Sequence, residues 1–464
     1  MWAHRQAASR SRGWYRVFGS MGCTGTQRHI AEAGLGSVLL LDDPNIRYVT
    51  GLAMLGGSGA DHYSFLTAGG KVVHWDTADH ASNERANCPW LPDIRYAAPG
   101  LGNVPRASGS PSAREFLLDT MADLIVEAAH DYDAHRDPVG IDSTQSQLAA
   151  KLRERGLDIR DGAADALHTA RQTKTKDEIE CFRVLSAICE AGFMAIKKAA
   201  EPGVTEQEVW GAAAEAVLRR GGTVEGGYLT SGPNTWPKHQ ANTTDRMLRP
   251  GDIMYADFYS ATFQGYRSCV YRTFSIGKPR QRSVDAYKRA RDWMYDVIEA
   301  IRPGVTTGEV ARYFPDREGE RMDWYGADHY WQMTTNQWAH GLGLQLYERP
   351  LIWRGISVDH PIEIQEGMTM AVETQEPDGP SSATTTSHPP PRPRPLPPRP
   401  HRLHRPPHRP RPHPPPLRRF LLLRLLCRRL GGIPDPASYF PVECSSQAHR
   451  SRQFDIMLCR LPGC

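Results

Sequence analysis

Short blocks of consecutive apolar residues, cut off by turn-forming clusters, mark the first ordered part of the chain. Residues 37–41 follow Gly36 and stop at Asp42-Asp43-Pro44, the pattern of a strand buried on both faces. Residues 72–75 after Gly69-Gly70, and residues 139–141, read the same way. Between them, 113–129 and 145–155 space their apolar residues as helices do and are rich in Ala, Leu and Glu. Strands alternating with helices over residues 30–165 predict an α/β domain.

A second unit opens near Ala170. Over residues 176–200, Ile179, Phe182, Leu185, Ile188, Phe193 and Ile196 recur mostly at three- and four-residue steps, which predicts an amphipathic helix. An internal echo follows: Pro202-Gly-Val-Thr205-Glu-Gln-Glu208-Val209 returns as Pro303-Gly-Val-Thr306-Thr-Gly-Glu309-Val310. Each copy can close a capping box, the Thr hydroxyl capping the new helix and the Glu three residues on reaching back to the Thr amide. Capping boxes are common, but two such matches, each after a long helix, point to a duplicated α/β half. From Asp252 the pattern turns to strands at 253–258, 262–265 and 266–274, with Gly265 at a tight turn, and again at 368–373.

After Gly379 the pattern collapses. Sixteen prolines fall between Pro380 and Pro416, and twelve arginines with no Asp or Glu between Pro380 and Leu430. Such a segment cannot bury a core and reads as extended and solvated. The change is abrupt and falls inside an ordered pattern, so residues 380–464 read as low-complexity or out-of-frame sequence. A Pro-rich ligand for another domain is the alternative. The tail also explains the charge: the chain is +4 overall, and without those arginines residues 1–379 are mildly acidic. The basic pI is therefore no argument for nucleic-acid binding. No run of 18 apolar residues exists, so no membrane helix is expected. Nine cysteines without a Cys-x-x-Cys pair favour a reducing, cytoplasmic setting over a disulfide framework. The first 22 residues carry Arg5, Arg10, Arg12 and Arg16 and no acid, loosely like a transit peptide, without the apolar core of a signal peptide.

Metal-assisted hydrolysis needs carboxylates and an imidazole gathered from separate strands. Four positions qualify: Asp257 in a strand before a hairpin, Cys269 on the returning strand, His340 before Gly-Leu-Gly, and Glu373 in Met370-Ala-Val-Glu-Thr. Asp257 stands out, because a carboxylate within Ile253-Met-Tyr-Ala-Asp-Phe is costly to bury unless paired or metal-bound. Each also has a plain reading: a strand-end Asp capping a turn, a small buried Cys, a satisfied core His.

Taken in order, Ser231-Gly-Pro-Asn-Thr-Trp-Pro-Lys-His239, Asp257, Gly265-Tyr266, Arg272-Thr-Phe274, His340-Gly-Leu-Gly, Glu366-Gly-Met and Glu373 resemble the pita-bread metallopeptidases. These include methionine aminopeptidase, prolidase, aminopeptidase P and creatinase. Upstream, Pro44-Asn-Ile-Arg-Tyr-Val-Thr-Gly51 is similar to the signature of the creatinase/prolidase amino-terminal domain, and Lys174-Thr-Lys-Asp-Glu-Ile179 resembles the helix that opens the catalytic domain. The resemblance implies an α/β chain (α+β in its pseudo-twofold part). It divides into a leader at 1–27, a creatinase-like domain at 28–168, a pita-bread catalytic domain at 170–379 lacking its carboxy-terminal strand, and a disordered tail at 380–464. It implies a homodimer acting on a dipeptide or other small molecule, without nucleic acid or membrane as partner.

The resemblance also implies a site. Two Asp, one His and two Glu hold two divalent metals in the family, drawn from manganese, zinc, iron or cobalt. Asp257, His340 and Glu373 fall on three of these ligand positions. Cys269 stands where the second Asp belongs, and its thiolate suits zinc better than manganese. The final Glu has no counterpart between Glu376 and Glu443. His239 matches a histidine that binds or protonates substrate, and Tyr347 replaces a second His seven residues after the first. In the dimethylsulfoniopropionate lyases, a branch of this family, an acidic base follows the His; here the nearest acid is Glu348. For such a sulfonium substrate, Trp324, Tyr325, Tyr330, Trp331 and Trp338 would form an aromatic cage. The expected activity is metal-dependent hydrolysis of the Xaa-Pro peptidase type. The alternatives are the lyase, a metal-free creatinase-like hydrolase, and an inactive binding protein.

Overall fold

A computed structural model describes residues 25–52, 62–102, 106–235, 242–314 and 338–374, together with the backbone of strands at 382–387 and 457–458. His239, the four aromatics Trp324, Tyr325, Tyr330 and Trp331, the leader before residue 25 and most of the tail lie outside the described residues.

The amino-terminal part is a six-stranded sheet in the order β4-β3-β2-β1-β5-β6, formed by Ser37–Leu40 (β1), Tyr63–Thr67 (β2), Val72–Asp76 (β3), Asp93–Tyr96 (β4), Val139–Ile141 (β5) and Ile159–Arg160 (β6). β1 lies in the middle, parallel to β5 and antiparallel to β2. Its four residues are all buried, as a continuous apolar run requires of a strand covered on both faces. On one side Leu39, Phe65 and Trp75 meet Leu118, Met121 and Ile125 of the helix Pro111–Asp131, and on the other Val38, Leu40 and Leu66 meet Ile46, Val49 and Leu167.

The second part carries two sheets. One has the order β15-β10-β8-β7, from Thr223–Ser231 (β7), Ile253–Phe263 (β8), Tyr271–Ser275 (β10) and Met457–Leu458 (β15), with Tyr266–Arg267 (β9) paired to the end of β8. The other has the order β12-β11-β13-β14, from Trp338–Gly341 (β11), Glu348–Trp353 (β12), Thr369–Thr374 (β13) and Ser382–Ser387 (β14). The long helix at Lys176–Ala199 buries Phe182, Leu185, Ile188, Phe193 and Ile196 on the face predicted from their spacing.

The duplicated Pro-Gly-Val-Thr segments fold alike. Gly203 and Gly304 take φ values of 90° and 85°, which glycine adopts without steric cost. Gly203 N donates to Leu248 O at 2.9 Å and Gly304 N to Ile364 O at 2.8 Å. Both capping boxes form at Thr205/Glu208 and Thr306/Glu309, and a third forms at Thr175/Glu178.

Two expectations change. Residues 253–263 make one eleven-residue strand, and the return strand is broken between β9 and β10, so Ser268, Cys269 and Val270 stand outside the named strands. The last strand, expected to be missing, is present as backbone: β14 pairs antiparallel with all six residues of β13, Ala383 opposite Glu373. Its sequence, Ser-Ala-Thr-Thr-Thr-Ser, supplies ladder partners but no carboxylate. Among the described residues, no helix is long and apolar enough to cross a membrane.

Candidate metal centre

The two sheets of the second part meet at Glu373. β13 carries this buried carboxylate towards β10 and the segment before it, where three donors converge on it. Cys269 Sγ lies 3.2 Å and His340 Nε2 3.0 Å from Oε1, and the Tyr271 hydroxyl donates to Oε2 at 2.9 Å. The ligand-capable atoms of Cys269, His340 and Glu373 all lie within 4.8 Å of one another. His340 is oriented from behind. Its Nδ1 stands 2.9 Å from the Gly341 carbonyl, which only accepts, so Nδ1 carries a hydrogen and Nε2 is the atom presented to Glu373.

Asp257 sits in β8, opposite Tyr271 of β10 on one side and Tyr228 of β7 on the other. It is buried, and its Oδ1 has no hydrogen-bond partner. Burial, and then the charge of Glu373, push its carboxyl well above the usual range. Burial followed by the Glu373 and Asp257 charges does the same to the Cys269 thiol. Glu373 goes the other way: burial opposes its charge, but the His340 and Cys269 contacts outweigh it and hold the carboxyl below its ordinary value.

This donor set fits a bound cation. A buried carboxylate oxygen without a partner is expensive, and sulfur, imidazole nitrogen and carboxylate oxygen together suit a borderline-soft divalent ion. It fits one ion better than two. Against the five ligands the resemblance implies, Cys269 replaces one bridging carboxylate, and β14 carries none where the last Glu would stand.

Residues 180–384, the part that holds this cluster, match the model of metallopeptidase family M24. This domain belongs to family M24. The M24 match is echoed by curated proteins. The chain is 31% identical over 212 residues to a probable dipeptidase PepE of Mycobacterium bovis, covering 46% of this chain and 53% of that protein. It is 26% identical over 215 residues to an Xaa-Pro dipeptidase of Pyrococcus furiosus, covering 45% and 57%. The alignment thus spans about half the length of these relatives. The fold is shared with an Xaa-Pro dipeptidase from Bacillus anthracis, with a TM-score of 0.58 at 16% identity over 78% of this chain and 92% of that one.

Two residues assigned to catalysis in the sequence sit differently from each other in the M24 domain. Tyr347 stays at the site: its ring centroid is 4.4 Å from that of His340, and its side is open to solvent. Glu348 does not serve as a base. Its Oε1 is 3.2 Å from Arg171 Nε and its Oε2 2.8 Å from Lys174 Nζ, all three side chains being buried. Burial would raise its carboxyl, but Lys174 and Arg171 outweigh that and hold it below the ordinary value. It is a clamp between the segment 171–174, which precedes the M24 match, and β12. Tyr271 was missed by the sequence reading. Its only signal was its place two residues after Cys269, since its role comes from its register opposite Asp257. Of the aromatic cage, Trp338 is described, 6.2 Å edge-on from Tyr347.

Proposed function

We propose that the chain is a metal-dependent hydrolase of the Xaa-Pro peptidase type, built on a single-ion centre with a cysteine ligand. The observation that carries this reading is the convergence of Cys269, His340 and Glu373 in an M24 domain, with the unpartnered Asp257 Oδ1 on the strand opposite Tyr271. Cys269, His340 and Glu373 would hold the ion, with Asp257 at its edge. Zinc is the ion that this sulfur-containing set favours. When bound, such an ion polarises a carbonyl and makes water a better nucleophile.

The chain's own residues do the rest. Gly341 fixes the imidazole so that Nε2 faces inward, and Tyr271 anchors Glu373 through the oxygen not shared with Cys269 and His340. Tyr347 lies against His340 on the solvent side, where its phenol can donate one hydrogen bond to a substrate carbonyl or carboxylate. Burial, then the Glu373 charge, raises its pKa, so it stays a donor and does not shuttle protons at neutral pH. His239 completes the proposal as the group that binds or protonates the substrate, on the resemblance alone.

No observation favours the lyase. Its base would follow His340, where Gln345 bonds to Asp42 and Arg171, and Glu348 is clamped. The proposal includes a homodimer of cytoplasmic type, for which sedimentation at micromolar concentration is the check. The activity is tested by loading the full chain with zinc and assaying Xaa-Pro dipeptides. Hydrolysis that falls at least a hundredfold in His340→Ala supports it, and no hydrolysis by the zinc-loaded chain overturns it.

A further inference from the structure

A second cluster of ligand-type side chains lies far from the M24 centre, in the amino-terminal sheet. His74 and Asp76 are two apart on β3 and so project from the same face of the strand. The helix Ala78–Asn87 follows directly and brings Glu84 over that face. His74 Nε2 is 3.6 Å from Glu84 Oε2 and 3.9 Å from Asp76 Oδ2. Those separations are too long for hydrogen bonds. Ligand atoms about 2.0–2.2 Å from a tetrahedral zinc stand roughly 3.3–3.6 Å from one another, close to what is seen.

Two buried atoms of the cluster make no hydrogen bond. His74 is fully buried, yet its Nε2 has no hydrogen-bond partner, and neither has the buried Glu84 Oε2 facing it. The other ring nitrogen is engaged: His74 Nδ1 lies 2.8 Å from the Ser64 hydroxyl on the neighbouring strand, in direct register. A hydroxyl there can accept from Nδ1–H, which leaves the Nε2 lone pair pointing at the two carboxylates. Around them, His62 Nε2 holds Asp43 at 2.9 Å, and the partly exposed His80 is 3.4 Å from Asp76 Oδ1. Burial and the Asp76 charge push the Glu84 carboxyl up to about 7, a repulsion that a cation would relieve.

Apart from Arg85, whose Nε donates to Ile94 O at 2.7 Å and whose guanidinium lies over Tyr96, the helix has little to hold it to the sheet. Of its ten residues only Ala81 is buried, and Thr77 at its start makes no side-chain cap bond. We propose that His74 Nε2, Asp76 and Glu84 form a divalent-cation site of the zinc class, separate from the M24 centre, which pins the helix Ala78–Asn87 to β3.

The test must exclude two other groups of ligand-type residues: the M24 centre, and the tail with its His388, His401, His404, His408, His413 and His449. The full chain carrying Cys269→Ser and His340→Ala removes the first. Its zinc content is then compared, by metal analysis after equilibrium dialysis, with the same chain carrying Glu84→Gln in addition. Asp76→Asn serves instead if circular dichroism shows that Glu84→Gln has lost the fold. One equivalent lost, or an affinity at least tenfold weaker, supports the site, because the tail is identical in both. Equal zinc content and affinity would overturn it. Cobalt gives a second reading: bound to nitrogen and oxygen alone it shows visible d–d bands without a thiolate charge-transfer band. No cobalt spectrum in the Cys269→Ser, His340→Ala chain would equally overturn the proposal.

Discussion

At the scale of single residues, the proposed M24 centre turns on Cys269. A thiolate in place of a carboxylate trades a hard bridging ligand for a soft terminal one. Cys269→Asp should therefore shift the preference of the full chain from zinc towards manganese by at least tenfold, read by competitive metal loading. An unchanged preference would show that the sulfur is no ligand. Glu348 makes a different claim. Removing it by Glu348→Ala strands Arg171 and Lys174 as buried charges, which should cost about 3–5 kcal/mol in chemical denaturation. Because the folded pKa of Glu348 lies below its ordinary value, its contribution to stability is complete above the unfolded pKa of about 4.3 and is lost as pH falls through the folded value. The acid limb of the stability profile should flatten in Glu348→Gln. Nothing near Glu348 in the sequence announces this clamp, since its partners Arg171 and Lys174 lie far away in the chain. For the same reason the sequence reading took Glu348 as a candidate base.

Elements with a local cause were legible. The buried run at β1 and the helical spacing of Lys176–Ala199 both need only the hydrophobic pattern, and both Pro-Gly-Val-Thr turns need only glycine at positive φ followed by a capping Thr. Thr205→Ala and Thr306→Ala should each cost about 1 kcal/mol, and nearly additively, because the two caps share no partner. A double variant that costs no more than a single one would contradict independent caps. β14 was not legible: five small polar residues and one alanine show no alternation of apolar and polar positions, and the strand forms by pairing with all six residues of β13. A chain ending at residue 388 should hence be more stable than one ending at 381, which leaves β13 without its neighbour. Equal melting temperatures for the two would argue against the pairing.

For the whole molecule, the signature around Pro44–Gly51 acts as a joint. It folds as the helix Asp43–Thr50, from which Arg47 Nε donates to Gln264 O at 2.9 Å in the hairpin after β8, while the Tyr48 hydroxyl donates to Ala170 O at 2.9 Å. The amino-terminal sheet is thereby tied to the strand that carries Asp257. The metal cluster itself was half legible. Asp257, Cys269, His340 and Glu373 stand out as residues, whereas the anchoring by Tyr271 and the Gly341 carbonyl depends on strand register. The central claim is that this M24 domain holds one ion where its family pattern implies two. Anomalous diffraction at the zinc absorption edge, from crystals of the zinc-loaded full chain, tests that claim directly. The expected map has a single peak between Cys269 Sγ, His340 Nε2 and Glu373. Two peaks there, or none, would contradict it.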